Sequence, residues 1–167
     1  TVFCQTTYIQ EFLESKIPEV KGKTSLLPPM VPDQAEPKKQ FDIDQRTLKI
    51  VHAGKFAPLW GTREMISTFK DLRKKGLDVE LHVYGDKIHN PADDKTFKSE
   101  VEEALSNTEG LIWHKAKPRA EVIAAMRTYD IAWAWRRPEL EDNTDEISTK
   151  FLEYSSVGLP MLIIANK

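Results

Sequence analysis

The sequence predicts an α/β fold, a parallel sheet carrying helices on both faces. Two observations predict it. From residue 48 to residue 164 short apolar runs that read as strands alternate with amphipathic runs that read as helices, and the connections between them are short. The strand runs LKIVHAG (48–54) and DVELHVYG (78–85) also close on glycine, which lets the backbone turn sharply or approach another group closely.

The elements follow in order. VFC (2–4) reads as the end of a strand, and residues 6–16 suit a helix with Ile9, Phe12 and Leu13 on one face. TSLLPPMVP holds a short apolar strand stopped by Pro28, Pro29 and Pro32, because proline supplies no ladder hydrogen bond. Residues 33–46 are polar and read as a linker. After the strand at 48–54, residues 62–75 form a helix with Met65, Ile66, Phe69 and Leu72 on one face and Gly76 as its stop. The strand at 78–85 precedes a helix over 93–106 that aligns Phe97, Val101 and Leu105. LIWH (111–114) is a strand, and Pro118 opens the next helix, with Val122, Ile123 and Met126 inward. DIAWAW (130–135) is a strand, RRPELEDNTDE a polar loop, residues 148–157 a helix closed by Gly158 and Pro160, and MLII (161–164) the last strand.

Composition narrows the function classes. At 167 residues the chain fits one ordinary domain with a real core. A net charge of −2 gives no basic field, so nucleic acid is not expected as a partner. Cys4 is the only cysteine, which excludes an internal disulfide and suits a reducing compartment. No apolar run approaches the roughly 20 residues that span a bilayer. The chain starts without Met in what looks like a strand and stops after another, and a piece of a longer protein is the expectation.

In parallel sheets of this kind a ligand lies beyond the carboxyl ends of the strands. That rule selects the loops at 54–61, 85–92, 114–118 and 136–148. Gly54 would let a ligand approach the backbone, and Lys55 beside it could meet a phosphate; a tight turn with a solvated lysine is the plainer reading of the pair. Where the last helix begins, backbone N–H groups near Ile147, Ser148 and Thr149 and the helix dipole favour an anion, with Lys150 adding charge. Glu153, one turn on, could accept both hydroxyls of a ribose, and Asp145 could reach sugar hydroxyls from the loop. The plainer alternative is that Ser148 caps the helix while Asp145, Lys150 and Glu153 are solvated.

A resemblance decides between these readings. Asp145, seven residues, Glu153, then Tyr154, Gly158-Leu159-Pro160 and an apolar strand resemble the E-x7-E segment of retaining GT-B glycosyltransferases, glycosyltransferase family 4 in particular. In order before it, LKIVHAGKF resembles the strand and phosphate loop that open the C-terminal lobe. LHVYGDK resembles its second strand, and LIWHKAKPRAEVIAAMRTYDIA the base-contacting loop and its flanking elements. VFCQTTYIQEFLE and SLLPPMVP resemble the stretch leaving the N-terminal lobe.

The resemblance implies a Rossmann-like domain over 35–167, incomplete at its C-terminus, preceded over 1–34 by the exit from the N-terminal lobe and a connector. It implies a transferase of hexosyltransferase type that moves a sugar from a nucleotide-diphosphate donor to a glycan or lipid-linked acceptor, as in polysaccharide biosynthesis. Retention of configuration is implied, and neither a metal nor another cofactor; the acceptor would sit on the missing lobe, leaving the fragment alone inactive. Lys55 and Asp145 take the catalytic places, Lys55 at the diphosphate and Asp145 at the donor sugar. Gly54, Lys55, Ile147, Ser148, Thr149 and Lys150 take the phosphate side, Lys115 the base side and Glu153 the ribose. Asp145 is shorter than the family glutamate, and Trp60 stands where the family carries a second basic residue, a charge that Arg136 or Arg137 would replace. A cytoplasmic setting, at the inner face of a membrane, goes with the family. Two rivals remain: a sugar-nucleotide 2-epimerase of the same fold, and a Rossmann-like binding module without catalysis.

Other residues are set aside. His82 and His89 flank Asp86, but no further ligand converges on them in the sequence. ELEDNTDE lacks the order of a calcium loop. Asp42-Ile43-Asp44 precedes a strand instead of ending one. Trp113, Trp133 and Trp135 read as packing residues, whereas Trp60, in a ligand loop, could stack on a base or sugar.

Overall fold

The computed structural model describes residues 1–31, 47–139 and 148–163. It has seven strands and five longer helices within those bounds: β1 (Val2–Cys4), α1 (Thr7–Lys16), β2 (Thr24–Leu26), β3 (Leu48–Ala53), α2 (Thr62–Lys74), β4 (Val79–Tyr84), α3 (Phe97–Asn107), β5 (Leu111–Trp113), α4 (Arg119–Met126), β6 (Ile131–Trp133), α5 (Thr149–Ser156) and β7 (Met161–Leu162). Five strands form one sheet in the order β5-β4-β3-β6-β7, and every pairing in it is parallel. Successive strands step outward from β3 to β5, then the chain returns to the other side of β3. The sheet therefore reverses its winding beside β3, the place where such sheets open a crevice for ligands.

Both faces of the sheet are covered: β3 buries the consecutive residues Ile50, Val51 and His52, whereas β4 alternates over most of its length, burying Val79, Leu81 and Val83 between the half-buried Glu80 and His82. Ile50, Leu81 and Val83 pack with Met65, Ile66 and Phe69 of α2 and with Phe97, Val101 and Leu105 of α3. Val51, Tyr84 and Ala132 pack on the opposite side with Ile123 and Met126 of α4, Tyr154 of α5 and Val157 just after it. The inward faces expected for α2 and α3 are the ones observed. Val122 of α4 is only half-buried.

Some boundaries differ from the sequence expectation. Helix α3 starts at Phe97 rather than residue 93, because the Asp94 carboxylate accepts from the Phe97 amide at 3.1 Å and Asn90 Oδ1 accepts from the Lys98 amide at 3.0 Å. These side chains serve the first-turn donors that a longer helix would have to bury. Pro118 precedes α4 instead of opening it, with ψ 138 outside the helical range. Ile9, Phe12 and Leu13 do lie on a helix, yet no residue of α1 is buried. Its Phe12 is 51% exposed and stacks on Tyr8 at 6.5 Å. Strands β1 and β2 form a separate parallel pair around this helix. No helix among the described residues is long and apolar enough to cross a membrane.

Candidate functional site

Three strand ends are stitched together beside the winding reversal. The Gly54 amide donates to the Tyr84 carbonyl at 2.8 Å, and the Gly85 amide donates to the Lys115 carbonyl at 3.1 Å. Gly85 has φ +148, and a Cβ there would fall on the Gly54 carbonyl oxygen, so glycine is what lets the two loops touch. Helix α5 is tied to the same point. The hydroxyl of the fully buried Tyr154 accepts from the Ala53 amide at 3.0 Å, and burial pushes its phenol well above the ordinary tyrosine range. Because Lys150 and Glu153 precede Tyr154 by four and by one residues, this bond sets them over the β3 loop.

The result is a cleft of about 290 Å³ lined by Gly54, Lys55, Thr149, Lys150 and Glu153, with Tyr84, Gly85, Asp86, Lys87, Lys117 and Arg119 among its other walls. The sequence-predicted Gly54, Lys55, Thr149, Lys150 and Glu153 are thus brought together. Ser148 holds the N-cap position of α5, but its hydroxyl makes no capping bond. It faces a small void behind Lys150 rather than the cleft. Lys115 contributes only backbone: its residue is left-handed at φ 58, its carbonyl binds Gly85, and its ammonium lies over the Trp113 ring. The neighbouring Ala116 and Lys117 line the cleft in its place. Asp145 and Ile147 lie outside the described residues, as does the Asp42–Asp44 triplet.

The two lysines differ. Lys55 is exposed. The Lys150 ammonium is buried and has no hydrogen-bond partner, and its pKa is lowered to about 8, first by burial and then by the Arg136 cation, with Glu153 opposing and Lys55 adding to the effect. A Cβ on Gly54 would fall on Lys150 Nζ. The sequence suggested that this glycine admits a ligand; the space above it is occupied by the lysine itself. An unpaired buried cation is costly, and an anion entering beside it would be strongly favoured.

Glu153 is 16% exposed at its side chain and accepts from Arg119 Nε at 2.6 Å. Arg119 was not singled out in the sequence; it stands 34 residues away in the chain and carries no motif of its own. His52 was missed as well. Its Nδ1 lies 3.2 Å from the Trp133 carbonyl, and its pKa falls to about 3 through burial, with the Lys150 charge as the second cause. At physiological pH it is therefore neutral behind the cleft.

The two arginines expected to replace a basic residue at Trp60 lie in different surroundings. Arg136 is buried and lies 5.5 Å from the Phe151 ring, close enough to Lys150 to depress it. Arg137 turns away, bonding Glu64 Oε1 through Nε at 2.7 Å. Trp60 itself does not line the cleft; it sits with His52, Trp133 and Trp135 behind Lys150 and borders a second cavity. Trp133 is buried, and Trp113 and Trp135 are half-buried against the α2/α3 core. His82 lies between Glu80 at 3.1 Å and His114 at 2.9 Å. Among the described residues no group of three His, Cys, Asp or Glu side chains could hold a metal ion.

No family model and no curated protein matches this sequence. Solved structures do. The "GtfA/B complex" crystal structure superposes with a TM-score of 0.57 at 14% identity, covering 99% of this chain and 30% of that one. The apo form of the lipopolysaccharide outer core galactosyltransferase WaaB superposes with a TM-score of 0.54 at 14% identity, covering 96% of this chain and 42% of that one. The chain therefore spans less than half the length of either protein. At such identity the likeness is one of fold, the parallel five-stranded α/β architecture of GT-B glycosyltransferases.

Proposed function

We propose that this chain is the donor-binding lobe of a glycosyltransferase, taking a nucleoside diphosphate sugar and passing the sugar to a glycan or lipid-linked acceptor. One observation carries the reading: a buried, unpaired Lys150 ammonium shares a single cleft with the Gly54 loop, the first turn of α5 and Glu153. A diphosphate placed there meets Lys150, the more exposed Lys55 and the positive end of a helix dipole. Glu153, one turn along α5, is then in reach of a ribose diol, with Arg119 fixing one carboxylate oxygen and leaving the other to accept.

The chemistry assigned to these groups is electrostatic. As the bond between sugar and diphosphate breaks, negative charge grows on the departing phosphate. Cations already held in a partly dehydrated cleft stabilise that charge without reorganising. A hexosyl donor, retention of configuration and a role for Asp145 at the sugar remain part of the proposal, resting on the resemblance of the 145–160 segment. So does the acceptor, which would occupy the facing lobe.

Calorimetric titration of the folded chain with UDP, GDP and ADP tests this. At least one should bind, and Gly54→Ala should weaken it sharply by displacing the Lys150 side chain. No binding of any of the three at millimolar concentration would overturn the reading in favour of a non-catalytic module.

A further inference from the structure

The cleft has a neighbour. On the other side of the Gly54–Ala57 loop a larger cavity, about 640 Å³, lies between the 3-10 turn at Pro58–Trp60 and the loop over 89–94. One layer of backbone separates the two. Phe56 donates to the Lys87 carbonyl at 2.9 Å, and the His89 amide donates to the Phe56 carbonyl at 2.8 Å. Side chains then alternate across this wall: Lys55 and Lys87 line the cleft, Ala57 and His89 line the cavity, and Phe56 is fully buried within it.

The two arginines of the cavity are fixed beforehand. Arg63 is held by Asp94 at 2.6 Å and by Glu100 at 2.7 Å, and its guanidinium lies 4.9 Å from the Phe97 ring. Arg137 is held by Glu64. Each guanidinium is thus balanced by carboxylate, and Asp93 adds a further negative group, so the cavity offers no surplus positive charge for a second phosphate. It offers donors and acceptors together, from His89, Asn90, Asp93 and Arg137, beside the apolar surfaces of Leu59 and Trp60. A rigid aromatic surface flanked by mixed hydrogen-bonding groups suits a ligand with apolar C–H faces and a rim of hydroxyls.

We propose that this second cavity is a carbohydrate subsite that binds an uncharged sugar ring against Trp60. Its capacity to bind a sugar does not rest on the transferase reading given above; within that reading it would hold a remote sugar unit of an acceptor glycan whose reacting end lies on the facing lobe. The single-backbone wall puts such a ring within one loop's thickness of the diphosphate cleft. That closeness distinguishes it from an incidental surface depression.

The test is a pair of titrations on the ¹⁵N-labelled chain. Methyl glycosides of glucose, galactose, mannose and N-acetylglucosamine form one series, and UDP, GDP and ADP the other. The expected result is a saturable shift of the Trp60 indole N–H by at least one glycoside in the millimolar range, and shifts of the Gly54 and Gly85 amides by a nucleotide. Asp93→Asn should weaken the glycoside about three- to tenfold and leave nucleotide binding unchanged, and Trp60→Ala should abolish the glycoside-induced shifts of the His89 and Asn90 amides, which line the same cavity. If a nucleotide binds and no glycoside moves Trp60 saturably, the subsite is overturned and the transferase reading stands. If a glycoside binds while no nucleotide reaches Gly54, the subsite stands and the transferase reading falls. If spermine titrates Trp60 in place of the glycosides, the cavity is a cation site and the proposal is overturned.

Discussion

The two faces of the five-stranded sheet are built from different chemistry. Against α2 and α3 the buried layer is mainly aliphatic and aromatic hydrocarbon, with Phe69 and Phe97 at its centre. Against α4 and α5 it contains three buried phenols, and each hydroxyl has a partner: Tyr84 and Tyr129 bond each other at 2.7 Å, and Tyr154 accepts from Ala53. The first face reaches the strand ends through hydrocarbon contacts such as that of Phe56. The second holds the strand ends through directional bonds, so the geometry of the cleft and the packing of that face are one property. The lesson is that the cleft is positioned mainly by the polar face and stabilised mainly by the apolar one.

Four experiments sharpen or break that division. Phe69→Ala, deep in the apolar face, should cost about 3–5 kcal/mol in chemical denaturation while nucleotide affinity of the folded fraction holds. An affinity loss in step with stability would show that the faces are not separable. Lys150→Met should act the opposite way. It should weaken nucleoside diphosphate binding by about 10- to 100-fold and leave the melting temperature equal or higher, because an unpaired buried cation is removed. Tyr154→Phe should destabilise by about 1–2 kcal/mol, since the Ala53 amide loses its acceptor, and should also lower affinity by loosening α5 over the β3 loop. Stability without loss of affinity would place the anchoring of α5 elsewhere.

The smallest effect is a pH dependence. Lys150 is lowered to about 8 in the fold from the ordinary lysine value of 10.5 that it recovers when unfolded, so between those values the unfolded chain holds more protons. Stability should therefore rise with pH across that window, by about 1 kcal/mol from pH 8 to 9, and the rise should vanish in Lys150→Met. Nucleotide affinity should fall over the same range, because the ligand needs the charged ammonium. A flat melting profile in the wild-type chain would mean that Lys150 is already paired in solution.

The sequence by itself determined the elements and their order. Strand and helix periods are written in neighbouring residues, and Met65, Ile66 and Phe69, or Phe97, Val101 and Leu105, fall on the faces their spacing requires. It also determined that the loops after β3, β4 and β5 gather at one edge of the sheet, because parallel strands all end on the same side. It did not determine which lysine is withdrawn from water, which arginine holds Glu153, or that Gly54 makes room for a side chain of the same protein. Lys55 and Lys150 were both read as phosphate-side cations, yet Lys55 is exposed and the Lys150 ammonium is buried. Arg119 had no motif at all, and Ile9 and Phe12 had helical spacing without a core to enter. Only the tertiary structure decided these, because burial, ion pairing and shifted ionisation depend on segments distant in the chain meeting in space, and no local pattern of residue types encodes which of them will meet.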